Sequence, residues 1–168
     1  LVASASPAAT FAGGVGLLER SGTGFSGHMT DGRGVIEALR AHVDPAGRDV
    51  LVLGAGLTGR ASALELALAG ARRIFNAAPQ EEWATSLVED LSRVHEQPVE
   101  QLAWGERLTV PPEVSIVVRA TERAVPLDEL RGEIVLADLD PEAAAPVEAT
   151  AAGCCFVDGL EIRAVQAA

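Results

Sequence analysis

"DVLVLGAGLTGR", residues 49–60, decides how the rest of the chain is read. Val50 to Leu53 are apolar without alternation, the mark of a strand covered on both faces. Gly54, Ala55, Gly56, Leu57, Thr58 and Gly59 then complete a G-x-G-x-x-G, and "LTGRASALELALAGA" reads as a helix ending near Gly70. Alone the glycine pattern is weak; between a buried strand and a helix it predicts a pyrophosphate-binding turn. Gly54 permits the tight turn, Gly56 lets a phosphate approach the backbone, and Gly59 lets the helix pack on the strand. The free N–H groups at the helix start face the phosphates. The bland alternative is a tight strand–helix turn with no ligand.

Outward from this turn, strands and helices alternate. Upstream, "VIEALRAHV" places Val35, Ile36, Leu39 and Val43 on one helical face, and Asp44-Pro45-Ala46-Gly47 stops it. Downstream come the strand "RRIFNA", the helix "PQEEWATSLVEDLSRVH" and the weak strand "PVEQLA". The buried strands "EVSIVVRAT" and "GEIVLADL" follow, then the helix "PEAAAPVEATAAG", the strand "CCFVDG" and a last helix "LEIRAVQAA". This order predicts an α/β fold: a doubly wound, Rossmann-type parallel sheet of about six strands with helices on both faces. Residues 1–30, rich in Ala, Gly and Ser, are expected to hold one or two short strands, and residues 31–168 the dinucleotide-binding domain.

Composition narrows the function classes. A chain of 168 residues, 48% hydrophobic, is long enough for a proper core. The net charge of −11 excludes a phosphate-backbone partner, which needs a concentrated basic surface. No apolar run reaches the roughly 18 residues of a membrane span, and the first residues lack the charged head of a signal peptide, so a cytoplasmic protein without a membrane partner is expected. The chain opens at Leu1, which suggests a beginning trimmed or cut from something longer. All 13 basic residues are arginines and tyrosine is absent, so no lysine here can act as a general acid. Cys154 and Cys155 are adjacent, a spacing that suits neither a mutual disulfide nor a metal site, and both read as buried strand residues. The histidines carry no metal-ligand spacing: His28 reads as a solvated turn residue, and His42 and His95 as helix-end residues. Trp83 and Trp104 read as packing residues rather than a stacking platform.

The tip of the second strand leaves the dinucleotide open. NAD sites usually carry an acid there and NADP sites an arginine, whereas this strand ends Asn76-Ala77-Ala78. Either NADP or NAD is the expected cofactor, with the preference unresolved.

"GHMTDGRG" at residues 27–34, "VLVLGAG" some twenty residues later, Asn76 at the end of the second strand and "VDGLEIRAVQ" at the close together resemble the shikimate/quinate dehydrogenases. The resemblance covers residues 27 to 168. It implies that Asp31 matches the aspartate of a catalytic Lys–Asp dyad and that Gln166 matches a glutamine bonding substrate hydroxyls. It further implies cofactor contacts at Asn76, Ala120, Thr121, Gly159 and Ile162, the last standing where the family has a methionine beside the nicotinamide. The departures are Met29 for the turn's asparagine, Ala77 for the NADP-binding arginine, and Arg119-Ala120-Thr121-Glu122 for N-A-T-S. Asp138 is kept in "DLDP" without the tyrosine that follows it in the family.

The implied reaction is NADP-linked reduction of 3-dehydroshikimate to shikimate in aromatic amino-acid biosynthesis. It needs a proton donor within hydrogen-bond reach of the developing alkoxide, and a preceding substrate domain, of which residues 1–30 would be a remnant, is expected to supply the lysine. A homo-oligomer or a separate substrate domain is the partner this implies. Two other readings stand beside it. One is an inactive Rossmann module that binds a nucleotide or serves assembly; the other is a different nicotinamide enzyme whose Arg119 holds a substrate carboxylate. Within this chain alone, Asp31 reads best as the N-cap of the helix that follows.

Overall fold

Residues 2–166 are described by the structure, a computed structural model. Its first piece comprises β1 (Val2–Ala5), α1 (Pro7–Ala12), β2 (Leu17–Ser21) and β3 (Gly24–His28). They form a three-stranded sheet in the order β1-β3-β2, with β3 parallel to β1 and antiparallel to β2. The expectation of one or two strands was short by at least one, and it missed α1. That helix starts on strong local signals: the Ser6 hydroxyl accepts the Ala9 N–H at 3.2 Å, and Pro7 occupies the first turn.

The rest of the chain runs α2 (Asp31–Arg40), β4 (Asp49–Leu53), α3 (Leu57–Leu68), β5 (Arg73–Ala77), α4 (Glu81–Leu91), β6 (Val99–Gln101), β7 (Leu108–Thr109), β8 (Val114–Arg119), β9 (Leu127–Asp128), β10 (Val135–Asp138), α5 (Val147–Ala152), β11 (Cys155–Val157) and α6 (Gly159–Gln166). Six strands pair in parallel in the order β11-β10-β8-β4-β5-β6. The chain leaves β4 toward β5 and β6, then returns to the other side of β4 with β8. Strand order therefore reverses between β4 and β8, where a doubly wound sheet opens its ligand crevice.

Both faces of the sheet's central strands are covered, which is why those strands are largely apolar. On one face Val50, Val52, Ile74, Ile116 and Val118 meet α2, α3, α4 and α6 through Leu39, Leu66, Leu87 and Ile162. On the other, Leu51, Leu53, Phe75, Val117 and Leu136 meet Ala149 of α5 and the short parallel β7–β9 pair. Asp49 is the charged exception in the central strand; Arg72 closes over it with two hydrogen bonds of 2.8 and 2.7 Å. None of the described helices is long and apolar enough to cross a membrane.

Three local expectations change. The helix expected over 141–153 contracts to Val147–Ala152, because Pro146 lacks an N–H donor and holds the residue before it extended. α2 starts at Asp31 with Thr30 in the N-cap place, so Asp31 is the first helical residue rather than the cap. The cysteines are not both buried: Cys154 is half-buried and precedes β11, and Cys155 is exposed because β11 is the sheet's edge strand. The end of the expected last helix, 167–168, lies outside the described residues.

Candidate functional site

The glycine turn is shaped by what surrounds it. Gly54 has φ +109°, a region that L side chains rarely adopt, and a Cβ there would strike the Ala120 carbonyl. At Gly59 a Cβ would strike the Gly54 carbonyl, so α3 could not sit so close to the turn. Gly56 is the N-cap of α3, and no side chain caps the helix start. The helix therefore offers its first N–H groups and the positive end of its dipole outward, as an anion site requires. From beneath, Asn76 Nδ2 donates to the carbonyls of Val52 and Gly54, both at 2.9 Å. Asn76 is buried and faces the turn from inside, while its Oδ1 has no partner.

Two adjoining crevices open at the carboxyl ends of β4 and β8. One, of about 400 Å³, is lined by Gly54, Ala55 and Gly56, by Pro79, Gln80 and Trp83, and by Ala120 and Thr121. The other, of about 650 Å³, shares Ala120, Thr121 and Glu122 and adds Asp31, Thr58, Arg119, Ile162 and Gln166. The fold thus gathers Asp31, the glycine turn, the segment after β8 and the last helix, which are far apart in sequence. Leu57 is partly exposed at the start of α3. Gly159 contributes by close approach, since a Cβ there would lie 2.6 Å from the Asp140 carbonyl carbon. This lets α6 begin against the segment after β10.

Asp31 joins the two halves of the site. Its Oδ2 accepts the Thr58 hydroxyl at 3.3 Å, and its backbone carbonyl accepts Gln166 Nε2 at 3.4 Å. Position in the first turn of α2 also sets its negative charge on the favourable end of that helix dipole. Met29 points elsewhere: it is buried with Ala9, Ala12 and Ala61 beneath α1.

One charge of the larger crevice, Arg119, is already engaged. Arg119 Nη1 stands 3.1 Å from Asp138 Oδ2, although not aligned as a hydrogen bond. Burial pushes the Asp138 carboxyl above the usual aspartate range, against the Asp140 N–H bond and the Arg119 charge, which pull it down. With its guanidinium facing Asp138, Arg119 is poorly placed as a free carboxylate anchor. His28, expected as a solvated turn residue, instead ends β3 half-buried, 3.3 Å from Glu19. Among the described residues, no cluster of His, Cys, Asp or Glu could hold a metal ion.

Sequence reasoning missed Trp83. Trp104 packs against the core as expected, but Trp83 is 52% exposed in the first turn of α4, beside Gly56 and Gln80. A tryptophan near the start of an acidic helix carries no signal of that placement in the sequence.

No family model matches the chain. A shikimate dehydrogenase (NADP(+)) of Desulforamulus reducens is 34% identical over 119 residues, covering 68% of this chain and 41% of that protein. One of Aeropyrum pernix is 30% identical over 165 residues, covering 93% of this chain and 60% of its own. The chain thus spans about half the length of the curated relatives it matches. Among solved structures, the ligand-free 5-ketofructose reductase of a Gluconobacter species superposes with TM-score 0.88 at 30% identity, covering 98% of this chain and 64% of that one. The shikimate 5-dehydrogenase of Listeria monocytogenes, solved with shikimate and NAD, gives TM-score 0.82 at 25% identity over the same shares of 98% and 64%. On the shared order of motifs, the six-stranded parallel sheet and this agreement in sequence, the chain belongs to the shikimate/quinate dehydrogenase family.

Proposed function

We propose that the chain is the dinucleotide-binding part of an NAD(P)-linked oxidoreductase that interconverts a hydroxyl and a ketone on a small cyclic molecule, working in the cytoplasm. The observation that carries this is the meeting of Asp31, Thr58 and Gln166 at the mouth of an open glycine turn. The residues present fit a dinucleotide: the uncapped start of α3 suits its pyrophosphate, and Ile162 offers an apolar wall to the nicotinamide. When bound, the dinucleotide supplies or accepts the hydride. Asp31 and Gln166 then orient the substrate hydroxyls. The proton for the alkoxide comes from a group beyond these residues, because no lysine stands beside Asp31.

The family's reduction of 3-dehydroshikimate to shikimate is the leading substrate reading, and a keto sugar, as in the name of the Gluconobacter relative, is the second. NAD(H) is the favoured cofactor on the residues at the tip of β5, although Arg123 lines the same crevice from the segment after β8. Neither Ala77 nor Ala78 offers a cation for a 2′-phosphate, and Glu81 and Glu82 follow closely in the first turn of α4. An inactive nucleotide-binding module is the other reading, favoured by the burial of Met29 and by Arg119 facing Asp138.

Titration calorimetry with NAD(H) and NADP(H) tests the cofactor site. Heat with NAD(H) is expected, and none with either dinucleotide up to millimolar concentration would overturn the oxidoreductase reading. Turnover assays with shikimate and with a keto sugar, adding the substrate-binding part of a relative, then separate the two substrates from the inactive module.

A further inference from the structure

Away from the crevice, His42 meets two side chains from the end of the chain at the edge of the sheet. Cys155 on β11 is exposed, and its Sγ lies 3.5 Å from His42 Nδ1, just beyond the end of α2. The other ring nitrogen, His42 Nε2, lies 2.9 Å from Glu161 Oε1 in the first turn of α6. Asp158 fixes that first turn, its Oδ1 accepting the Glu161 N–H at 2.8 Å.

We propose that Cys155, His42 and Glu161 form a reactive-thiol site, separate from the crevice, that undergoes thiol–disulfide exchange with low-molecular-weight disulfides. The carboxylate of Glu161 can only accept, so the hydrogen between it and the ring sits on Nε2. That choice leaves the Nδ1 lone pair facing the thiol, the arrangement in which a histidine serves as base to a nucleophile. In the step, the Sγ proton passes to Nδ1 as Sγ attacks one sulfur of the incoming disulfide. The Sγ–S bond forms, the S–S bond of the reagent breaks, and the released thiolate takes the proton back. Cys155 is oxidised to a mixed disulfide and half of the reagent is reduced to thiol. Glu161 holds the imidazolium while it carries the charge.

The neighbouring cysteine is the internal contrast. Cys154 is half-buried, its thiol donates to the Arg131 carbonyl at 3.2 Å, and burial pushes its pKa upward. An adduct on Cys155 would wedge against the end of α2 and the start of α6, the pair of helices whose opposite ends carry Asp31 and Gln166.

The test follows the release of thiol from 5,5′-dithiobis(2-nitrobenzoate) with two single-cysteine proteins, Cys154→Ser and Cys155→Ser. Cys155 is expected to react at least about tenfold faster than Cys154, and faster than free N-acetylcysteine at the same pH. Adding His42→Asn should cut its rate at least about tenfold, less than the roughly 100-fold or more of a base in an enzyme's transition state because a thiol already ionises in part at neutral pH. Glu161→Gln should cut it less. Circular dichroism and melting of each variant must match the parent, and where His42→Asn fails that check the Glu161→Gln rate decides. Cys155 reacting no faster than N-acetylcysteine, or at a rate indifferent to both substitutions, overturns the proposal.

Discussion

Asn76→Asp is the sharpest probe of how the glycine turn is held. The two side chains have the same shape, so packing is unchanged. What changes is the atom facing the carbonyls of Val52 and Gly54: an N–H₂ that donates to both at 2.9 Å becomes oxygen. An ionised carboxylate cannot stay there against two carbonyl oxygens, so the folded protein must keep the acid protonated. Starting from a free aspartate at about 3.9, holding the proton at pH 7 costs about 4 kcal/mol, at 1.36 kcal/mol per unit. The neutral acid has one O–H, so one of the two bonds is lost as well, for about 1 kcal/mol. The sum is about 5 kcal/mol at pH 7, or a fall in Tm of about 10–20 °C for a domain of this size. Urea melts at pH 4, 5, 6 and 7 should show the deficit growing with pH, from about 1 kcal/mol at pH 4. A variant within about 1 kcal/mol of the parent at pH 7, or a deficit independent of pH, would refute the reasoning and mean that the amide does not brace the turn.

Other consequences can be measured directly. In a Trp104→Phe background, Trp83 fluorescence should respond to NAD(H), and Trp83→Ala should weaken binding by about 1–3 kcal/mol if the ring stacks on a base; unchanged emission on saturation argues against contact. Gln80→Arg places a cation at the crevice lip and should shift preference toward NADP(H) about tenfold, read as a ratio of dissociation constants, by the worth of one charged hydrogen bond. Gly59→Ala should cost about 1–3 kcal/mol in urea and weaken dinucleotide binding, because its Cβ meets the Gly54 carbonyl. Asp138 and Asp90 should titrate in opposite senses. With its folded pKa raised by burial, Asp138 lowers stability as pH rises from the ordinary aspartate value through the raised one, since the unfolded chain ionises first. Asp90, held low by the Arg60 hydrogen bond, gives stability present above the ordinary value and lost as pH falls through the lowered one. Asp138→Asn and Asp90→Asn should each flatten their own slope.

The parallel sheet was legible because strands covered on both faces must be apolar throughout, and the glycine turn because its backbone conformation admits little else. The first thirty residues were not, since strands such as "GFSGH" pair through backbone and show no apolar alternation. Alanines in "PEAAAPVEATAAG" read as helix, yet Pro146 alone decides where α5 begins. Of the candidate site, Asp31 and the turn could be named from motif order. The facing of Arg119 toward Asp138 could not, nor could the meeting of His42 with Cys155 and Glu161, which lie more than a hundred residues further along the chain.

The glycines in "TDGRG" sit inside α2, not in a loop. A Cβ at Gly32 would collide with the Ala61 carbonyl of α3, and one at Gly34 with the Gln166 side chain of α6. Each glycine is a saddle on which another helix rides. The motif that looks like a chemical signature is therefore also a gauge of spacing between three helices. A mutant that bulks Gly32 would move α3 and the cofactor turn relative to Asp31 while leaving the polar groups of the site intact, so loss of function there would mimic loss of a catalytic residue; one that bulks Gly34 would push aside the Gln166 side chain itself.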